Sequence, residues 1–113
     1  MTSKVSVILC TYNAEKYIRA TLESILCQSY TTIEILILDN NSKDTTVDII
    51  KSYKDTRIHI YSSEKNLGPY GGLNFLLEKA TGEYIAIQDH DDLWRREKLE
   101  KQIEFLEKHK QYI

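Results

Sequence analysis

Val5-Ser6-Val7-Ile8-Leu9-Cys10-Thr11-Tyr12-Asn13 is a β-branched apolar run that stops abruptly in polar residues. An apolar run of this length reads as a strand buried on both faces, the pattern of a parallel sheet covered by helices on each side. The residues that follow support the reading. Ile18, Leu22, Ile25 and Leu26 fall on one stripe at helical spacing, and Asn13 is placed to cap that helix. The couplet then recurs. Residues 33–38 form a second apolar run ending in Asp39-Asn40-Asn41-Ser42, where Ser42 is placed to cap a helix turning Val47, Ile50 and Tyr53 inward. Ile58-His59-Ile60-Tyr61 alternates and is less apolar, as expected of an edge strand.

Asn66-Leu67-Gly68-Pro69-Tyr70-Gly71-Gly72 is a loop by composition and opens a helix with Leu73, Leu76, Leu77 and Ala80 on one face. Gly82 suits the left-handed position that ends it. Residues 84–88 are a fourth strand, which runs into Asp89-His90-Asp91-Asp92. Leu93-Trp94 follows, then a last helix with Leu99, Ile103 and Leu106 in register, against which Trp94 is expected to pack. The order βαβαβαβ with a closing helix predicts an α/β fold, a mostly parallel sheet flanked by helices, in one domain. There is no repeat, low-complexity tract or linker.

In such folds ligands bind beyond the carboxyl ends of the strands, near the point where strand order reverses. The polar sequences sit at those ends: Thr11-Tyr12-Asn13, Asp39-Asn40-Asn41-Ser42 and Asp89-His90-Asp91-Asp92. The opposite ends read as bland. Three carboxylates at the mouth of a strand repel one another unless a positive group lies among them, most simply a divalent cation holding a phosphate. His90 reads as a spacer in this cluster rather than as a ligand. Asp92 is open to two readings, helix cap or site residue.

Composition narrows the function classes. The chain has 113 residues, 42% hydrophobic and 28% charged, with a net charge of −2. It is long enough for one core, and it lacks the basic run that nucleic-acid binding would need. Arg95, Arg96, Lys98 and Lys101 are interleaved with Glu97, Glu100 and Glu104, which reads as a solvated helix face rather than a membrane anchor. Cys10 and Cys27, the only cysteines, read as buried reduced thiols. The first four residues lead straight into a strand with no signal-peptide pattern, and no apolar run is long enough to cross a bilayer. A cytoplasmic protein is expected, or one at the inner face of the cell membrane.

Four motifs in order carry a resemblance: Val5 to Asn13, Ile37-Leu38-Asp39-Asn40-Asn41-Ser42, Asn66 with Gly68, and Ala80-Thr81-Gly82-Glu83-Tyr84-Ile85 leading into Asp89-His90-Asp91-Asp92. Together they resemble the family 2 glycosyltransferases, GT-A fold enzymes that use nucleotide-sugars, over nearly the whole chain. The resemblance implies a Rossmann-like nucleotide-binding half with strand order 3-2-1-4. It implies a nucleotide-diphospho-sugar, a UDP-sugar by the character of Asp39, whose family position accepts the hydrogen bond from uracil N3. Asp39 also fits a turn aspartate bonding its own backbone.

By the same resemblance Thr11 and Tyr12 hold the nucleotide by backbone and stacking contacts, and Asn66 and Asn74 lie near it. Glu15 either contacts the nucleotide or answers a helix dipole. Asp91 is the metal ligand, for Mg²⁺ or Mn²⁺, and Asp89 contacts the ribose or a metal-bound water. Asp92 approaches the sugar or orders its loop. The implied reaction is an inverting hexosyl transfer to a saccharide or lipid-linked acceptor in cell-surface polysaccharide or glycan synthesis. Its carboxylate base and the acceptor-binding half are expected beyond Ile113, so no residue here is assigned as the catalytic base. A truncated product, or one completed by another chain or a second copy, is the corresponding expectation.

Three other classes share parts of the pattern. A sugar nucleotidyltransferase needs a glycine-rich basic loop after the first strand, which Thr11-Tyr12-Asn13-Ala14-Glu15 is not. A receiver domain needs a strand-end lysine. A non-catalytic nucleotide-binding or assembly module is the remaining alternative.

Overall fold

The computed structural model describes residues 3–88 and 93–108. Among the described residues four strands and four helices alternate: β1 (Val5–Thr11), α1 (Ile18–Leu26), β2 (Ile33–Asp39), α2 (Thr46–Lys51), β3 (Ile58–Ser62), α3 (Gly68–Lys79), β4 (Tyr84–Gln88) and α4 (Lys98–Lys108). The strands form one sheet in the order β3-β2-β1-β4. Every pairing is parallel, with Val5 opposite Ile33 and Tyr84, and Ile35 opposite Ile58. The expected fold class and strand order are therefore both observed.

Alternation along the strands sorts side chains to two faces. Val5, Val7 and Leu9 of β1 and Ile33, Ile35 and Ile37 of β2 face α1, α2 and α4, meeting Ile18, Leu22, Ile25, Ile50, Leu99 and Ile103. Trp94 is buried in the same layer, as expected. On the other face Ile8, Leu36 and Leu38 pack with Leu76 of α3. This double cover explains why β1 and β2 carry continuous apolar runs. Burying one such Ile or Leu side chain contributes about 1.5–3 kcal/mol relative to leaving it in water. β3 and β4 lie at the two edges of the sheet. On the α3 side of β4, Ile85 and Ile87 stay exposed.

Local details depart from the expectations where tertiary partners overrule local pattern. The loop expected through residue 72 is helical from Gly68, whose φ of 74° lets the chain turn into α3. Leu77 is 41% exposed rather than on the packed face, and Phe75 packs there instead, edge-on to Tyr61. Cys27 is the exposed C-cap of α1, so only Cys10 is partly buried. Burial pushes the Cys10 thiol pKa up.

Gly82 is not the left-handed residue expected, since Gly68 is the one glycine with positive φ among the described residues. Its role is close approach. A Cβ there would lie 2.7 Å from Ser6 N and Oγ and 2.8 Å from the Lys4 carbonyl oxygen. The crossing brings the Gly82 N–H onto Ser6 Oγ at 2.8 Å, and the Glu83 N–H onto the Lys4 carbonyl at 2.8 Å.

The amino ends of the strands are not bland either. Glu34 is a buried residue of β2. It accepts hydrogen bonds from Ser6 Oγ (2.5 Å), Thr81 N–H (2.8 Å) and Thr81 Oγ1 (3.0 Å), and pairs with Lys4 Nζ at 3.2 Å. Burial raises its pKa, but the hydrogen bonds from Ser6, Thr81 and Lys4 outweigh burial and bring it from the ordinary 4.5 down to about 2. This carboxylate fastens the chain entering β4 to the centre of the sheet.

Two outcomes follow. Gly82→Ala forces a backbone shift at Ser6 and lowers unfolding free energy by about 1–3 kcal/mol, read from urea melts. The folded pKa of Glu34 lies below the unfolded one, so its contribution is fully present above about pH 4.5 and is lost as pH falls toward 2. Glu34→Gln should lower stability at pH 7 by about 2 kcal/mol and flatten the acid limb of the stability profile over that window. A variant with the wild-type acid limb would refute the role.

Candidate functional site

The carboxyl ends of β1 and β2 meet at Thr11 and Asp39, which are paired across the two strands. Both are nearly fully buried, at 1% and 2% exposure. A buried carboxylate must be given hydrogen-bond donors. Asp39 Oδ1 accepts from Thr11 Oγ1 at 3.0 Å and from Ser42 Oγ at 2.6 Å, and Oδ2 accepts from the Ser42 N–H at 2.8 Å. The turn reading of Asp39 is thus present in the structure. The backbone adds one rung beyond the sheet, where the Asn40 N–H donates to the Thr11 carbonyl at 2.8 Å.

The loops that leave these strands are bonded to each other. The Asn13 N–H donates to Ser42 Oγ at 2.8 Å, and Asn13 Oδ1 accepts from the Lys43 N–H at 2.8 Å. The Ala14 N–H donates to Thr46 Oγ1 at 2.8 Å. Asn13 and Asn41 both take left-handed backbone, with φ of 49° and 63°, a conformation asparagine accepts more readily than most residues. Asn13 therefore links two loops and is not the cap of α1, whose N-cap is Tyr17. Ser42 likewise serves Asp39, and the N-cap of α2 is Thr45. Asp44 does the capping work there, accepting from the Thr46 N–H at 3.0 Å. Burial raises the Asp44 pKa, and hydrogen bonds from Thr46 and the Glu15 N–H outweigh that and lower it.

Glu15 acts at a different helix from the one expected. Its Oε2 accepts from Thr45 Oγ1 at 2.6 Å and the Thr45 N–H at 3.2 Å, at the start of α2. Tyr12 stands at the mouth of β1, 47% exposed, and an aromatic ring suits a planar group. Asn66 Oδ1 accepts from the Gly68 N–H at 2.8 Å and so shapes the entry to α3. Asn74 is exposed on α3, outside this network.

Asn40 is the residue that sequence reasoning passed over as one member of a polar run. It is buried, and its Oδ1 accepts from the Leu67 N–H at 3.2 Å, tying the entrance of α3 to the end of β2. Gly72 permits the approach: a Cβ there would lie 2.9 Å from Cys10 Sγ and 3.1 Å from Leu38 Cδ2. β1, β2 and the start of α3 thereby converge on one end of the sheet. β4 joins them in register, ending at Gln88 two pairs beyond Ala86–Val7, opposite Leu9. Asp89, His90, Asp91 and Asp92 follow and lie outside the described residues. Among the described residues no group of three or more His, Cys, Asp or Glu could hold a metal ion.

The comparisons with known proteins agree with this geometry. The model of the family described as glycosyl transferase family 2 matches residues 6–113. The chain is 44% identical over 109 residues to UDP-Glc:alpha-D-GlcNAc-diphosphoundecaprenol beta-1,3-glucosyltransferase WfaP of Escherichia coli, covering 96% of this chain and 43% of that protein. It is similar to TarS of S. aureus, solved as residues 1–349 with UDP-GlcNAc, at a TM-score of 0.89 and 34% identity, over 94% of this chain and 32% of that solved chain. It is also similar to the mannosyltransferase PcManGT from Pyrobaculum calidifontis, solved with GDP-Man and Mn²⁺, at a TM-score of 0.87 and 29% identity, over 94% of this chain and 33% of that one. The chain spans about two-fifths of the length of the curated relatives it matches.

The loop clasp can be tested at Asn13. Asn13→Ala loses the acceptor for Lys43 and keeps the left-handed cost, so it should destabilise by about 2 kcal/mol. Asn13→Gly loses the acceptor alone and should cost about 1 kcal/mol. Chemical denaturation of the two variants decides it; the reverse order would remove the backbone argument.

Proposed function

Because the chain belongs to glycosyl transferase family 2, we propose that it is the nucleotide-diphospho-sugar-binding part of a glycosyltransferase and that its donor is a UDP-sugar. The observation that carries the reading is the Asp39 carboxylate, buried at the carboxyl end of the sheet beside the exposed ring of Tyr12. In a parallel sheet this end is where ligands bind. In the proposed complex Thr11 and Tyr12 hold the nucleotide, with the Tyr12 ring against the base and Asp39 accepting from uracil N3. The solved relative that binds UDP-GlcNAc supports a uridine nucleotide. Glu15, Asn66 and Asn74 are proposed to lie near the nucleotide, where Glu15 and Asn66 also hold loop backbone.

The proposed metal is Mg²⁺ or Mn²⁺, with Asp91 as its ligand, Asp89 at the ribose or a metal-bound water, and Asp92 near the sugar. Carboxylate oxygens are the donors that these hard cations take. The family neighbour solved with Mn²⁺ supports the choice. Such a cation would neutralise charge on the departing diphosphate. The chain's own residues do the holding: the Thr11–Asp39–Ser42 knot fixes the base end, and the clasped loops keep Tyr12 beside it. The acceptor is proposed to be a saccharide or lipid-linked sugar of cell-surface polysaccharide synthesis, which the diphosphoundecaprenol-linked acceptor in the name of WfaP supports. No helix among the described residues is long and apolar enough to cross a membrane. A site at the inner face of the cell membrane is proposed for the same reason as the acceptor.

Titration calorimetry with UDP and Mn²⁺ tests the metal assignment. The wild-type chain should bind, and Asp91→Ala should weaken binding about tenfold or more, equivalent to ~1.4 kcal/mol. Chelation of Mn²⁺ should bring the two to the same affinity. Identical titrations in the presence of Mn²⁺ would refute the role of Asp91.

A further inference from the structure

An ionised carboxylate offers about four acceptor positions, two on each oxygen. Among the described residues three donors reach Asp39, and they are distributed unevenly. Oδ1 takes both hydroxyls, from Thr11 at 3.0 Å and Ser42 at 2.6 Å. Oδ2 takes only the Ser42 N–H, at 2.8 Å. Oδ1 is therefore full, and the one acceptor position left lies on Oδ2.

The direction of the Ser42 hydroxyl is itself determined. Its oxygen accepts the Asn13 N–H at 2.8 Å, and its single proton is given to Asp39. Thr11 is fixed on β1 by the sheet and is 1% exposed. Neither hydroxyl can turn away without leaving a buried polar group unpaired, which costs about 1–3 kcal/mol. The carboxylate presents the same single vacancy to any ligand that reaches it.

Bases differ in what they ask of a carboxylate. Uracil presents one N–H, at N3, between two carbonyls. Guanine presents N1–H and N2–H side by side, spaced to engage both oxygens of one carboxylate. A carboxylate with Oδ1 already filled serves the single donor and leaves one guanine N–H without its partner. A site that cannot satisfy a buried donor discriminates against the ligand carrying it.

We infer that Thr11 and Ser42 are positioning residues that set base selectivity: by filling Oδ1 of Asp39 they favour a uracil nucleotide and penalise a guanine one. The inference rests on the reading that Asp39 faces the base. It assigns the selectivity not to the aspartate, which could serve either base, but to the two hydroxyls behind it.

The experiment measures UDP and GDP binding, each with Mn²⁺, by calorimetry on the 113-residue chain. Wild type, Ser42→Ala, Ser42→Thr, Thr11→Val and Asp39→Ala are compared, with thermal melts reporting folding. Freeing a position on Oδ1 should raise the GDP-to-UDP ratio of association constants about five- to tenfold in Ser42→Ala and in Thr11→Val, the worth of about one hydrogen bond. Ser42→Thr, which restores the hydroxyl, should keep the wild-type ratio. A loss of fold at one position leaves the other to decide, because they lie on different segments. An unchanged ratio in the folded Ala or Val variant, with Asp39→Ala losing the preference for UDP, overturns the inference and leaves the base contact standing. Unchanged UDP affinity and selectivity in Asp39→Ala overturns the base contact, and the inference with it.

Discussion

The hydrogen bond from Thr11 Oγ1 to Asp39 Oδ1 crosses from β1 to β2 at the last row of their ladder. It joins two nearly fully buried residues, and each would be costly without the other. Much of the site depends on it. Asp39 in turn orders Ser42, Ser42 receives Asn13, and Asn13 receives Lys43. The loops after β1 and β2 are thereby one body, although neither has regular structure of its own. A nucleotide approaching that end of the sheet meets a surface whose ordering entropy was lost on folding rather than on binding.

The large-scale organisation could be read from the residues because it depends on periodicities that every segment shares. Continuous apolar runs in β1 and β2 and a helical stripe in α1 leave few arrangements other than a doubly covered parallel sheet. The polar strand ends bring Thr11, Asp39 and Ser42 together at one end of that sheet. Caps were harder for a physical reason. Asn13 and Ser42 have the chemistry of N-caps, but each found a partner on the opposite loop instead of on its own helix. Local pattern names the residue that can donate or accept; only the fold names its partner.

Glu34 and Gly82 show the same limit from the other end of the sheet. A glutamate at one position of Ile33-Glu34-Ile35-Leu36 reads as a polar face, yet β2 has no polar face, and that contradiction was the available signal. Gly82 looked like a helix terminator because it follows α3. Its actual constraint is the Lys4–Ser6 backbone, distant in sequence, against which no side chain fits. The acidic residues after Gln88 belong to the proposal by chemistry and by their place after β4, while the frame they adjoin is set by β1 and β2.

The order β3-β2-β1-β4 also bears on how the chain is made. Of the four described strands β1 is synthesised first, yet it is a central strand, and its second neighbour is β4. The unit from β1 through β3 can assemble as soon as it leaves the ribosome, since its partners adjoin one another in sequence order. One edge of β1 must then wait, with its backbone groups unpaired, until Tyr84 and the residues after it emerge. An apolar, open parallel edge is the kind of surface that recruits wrong partners. The Glu34–Ser6–Thr81 cluster lies where β4 begins, so β4 is received at its first residues by a carboxylate already in place on β2.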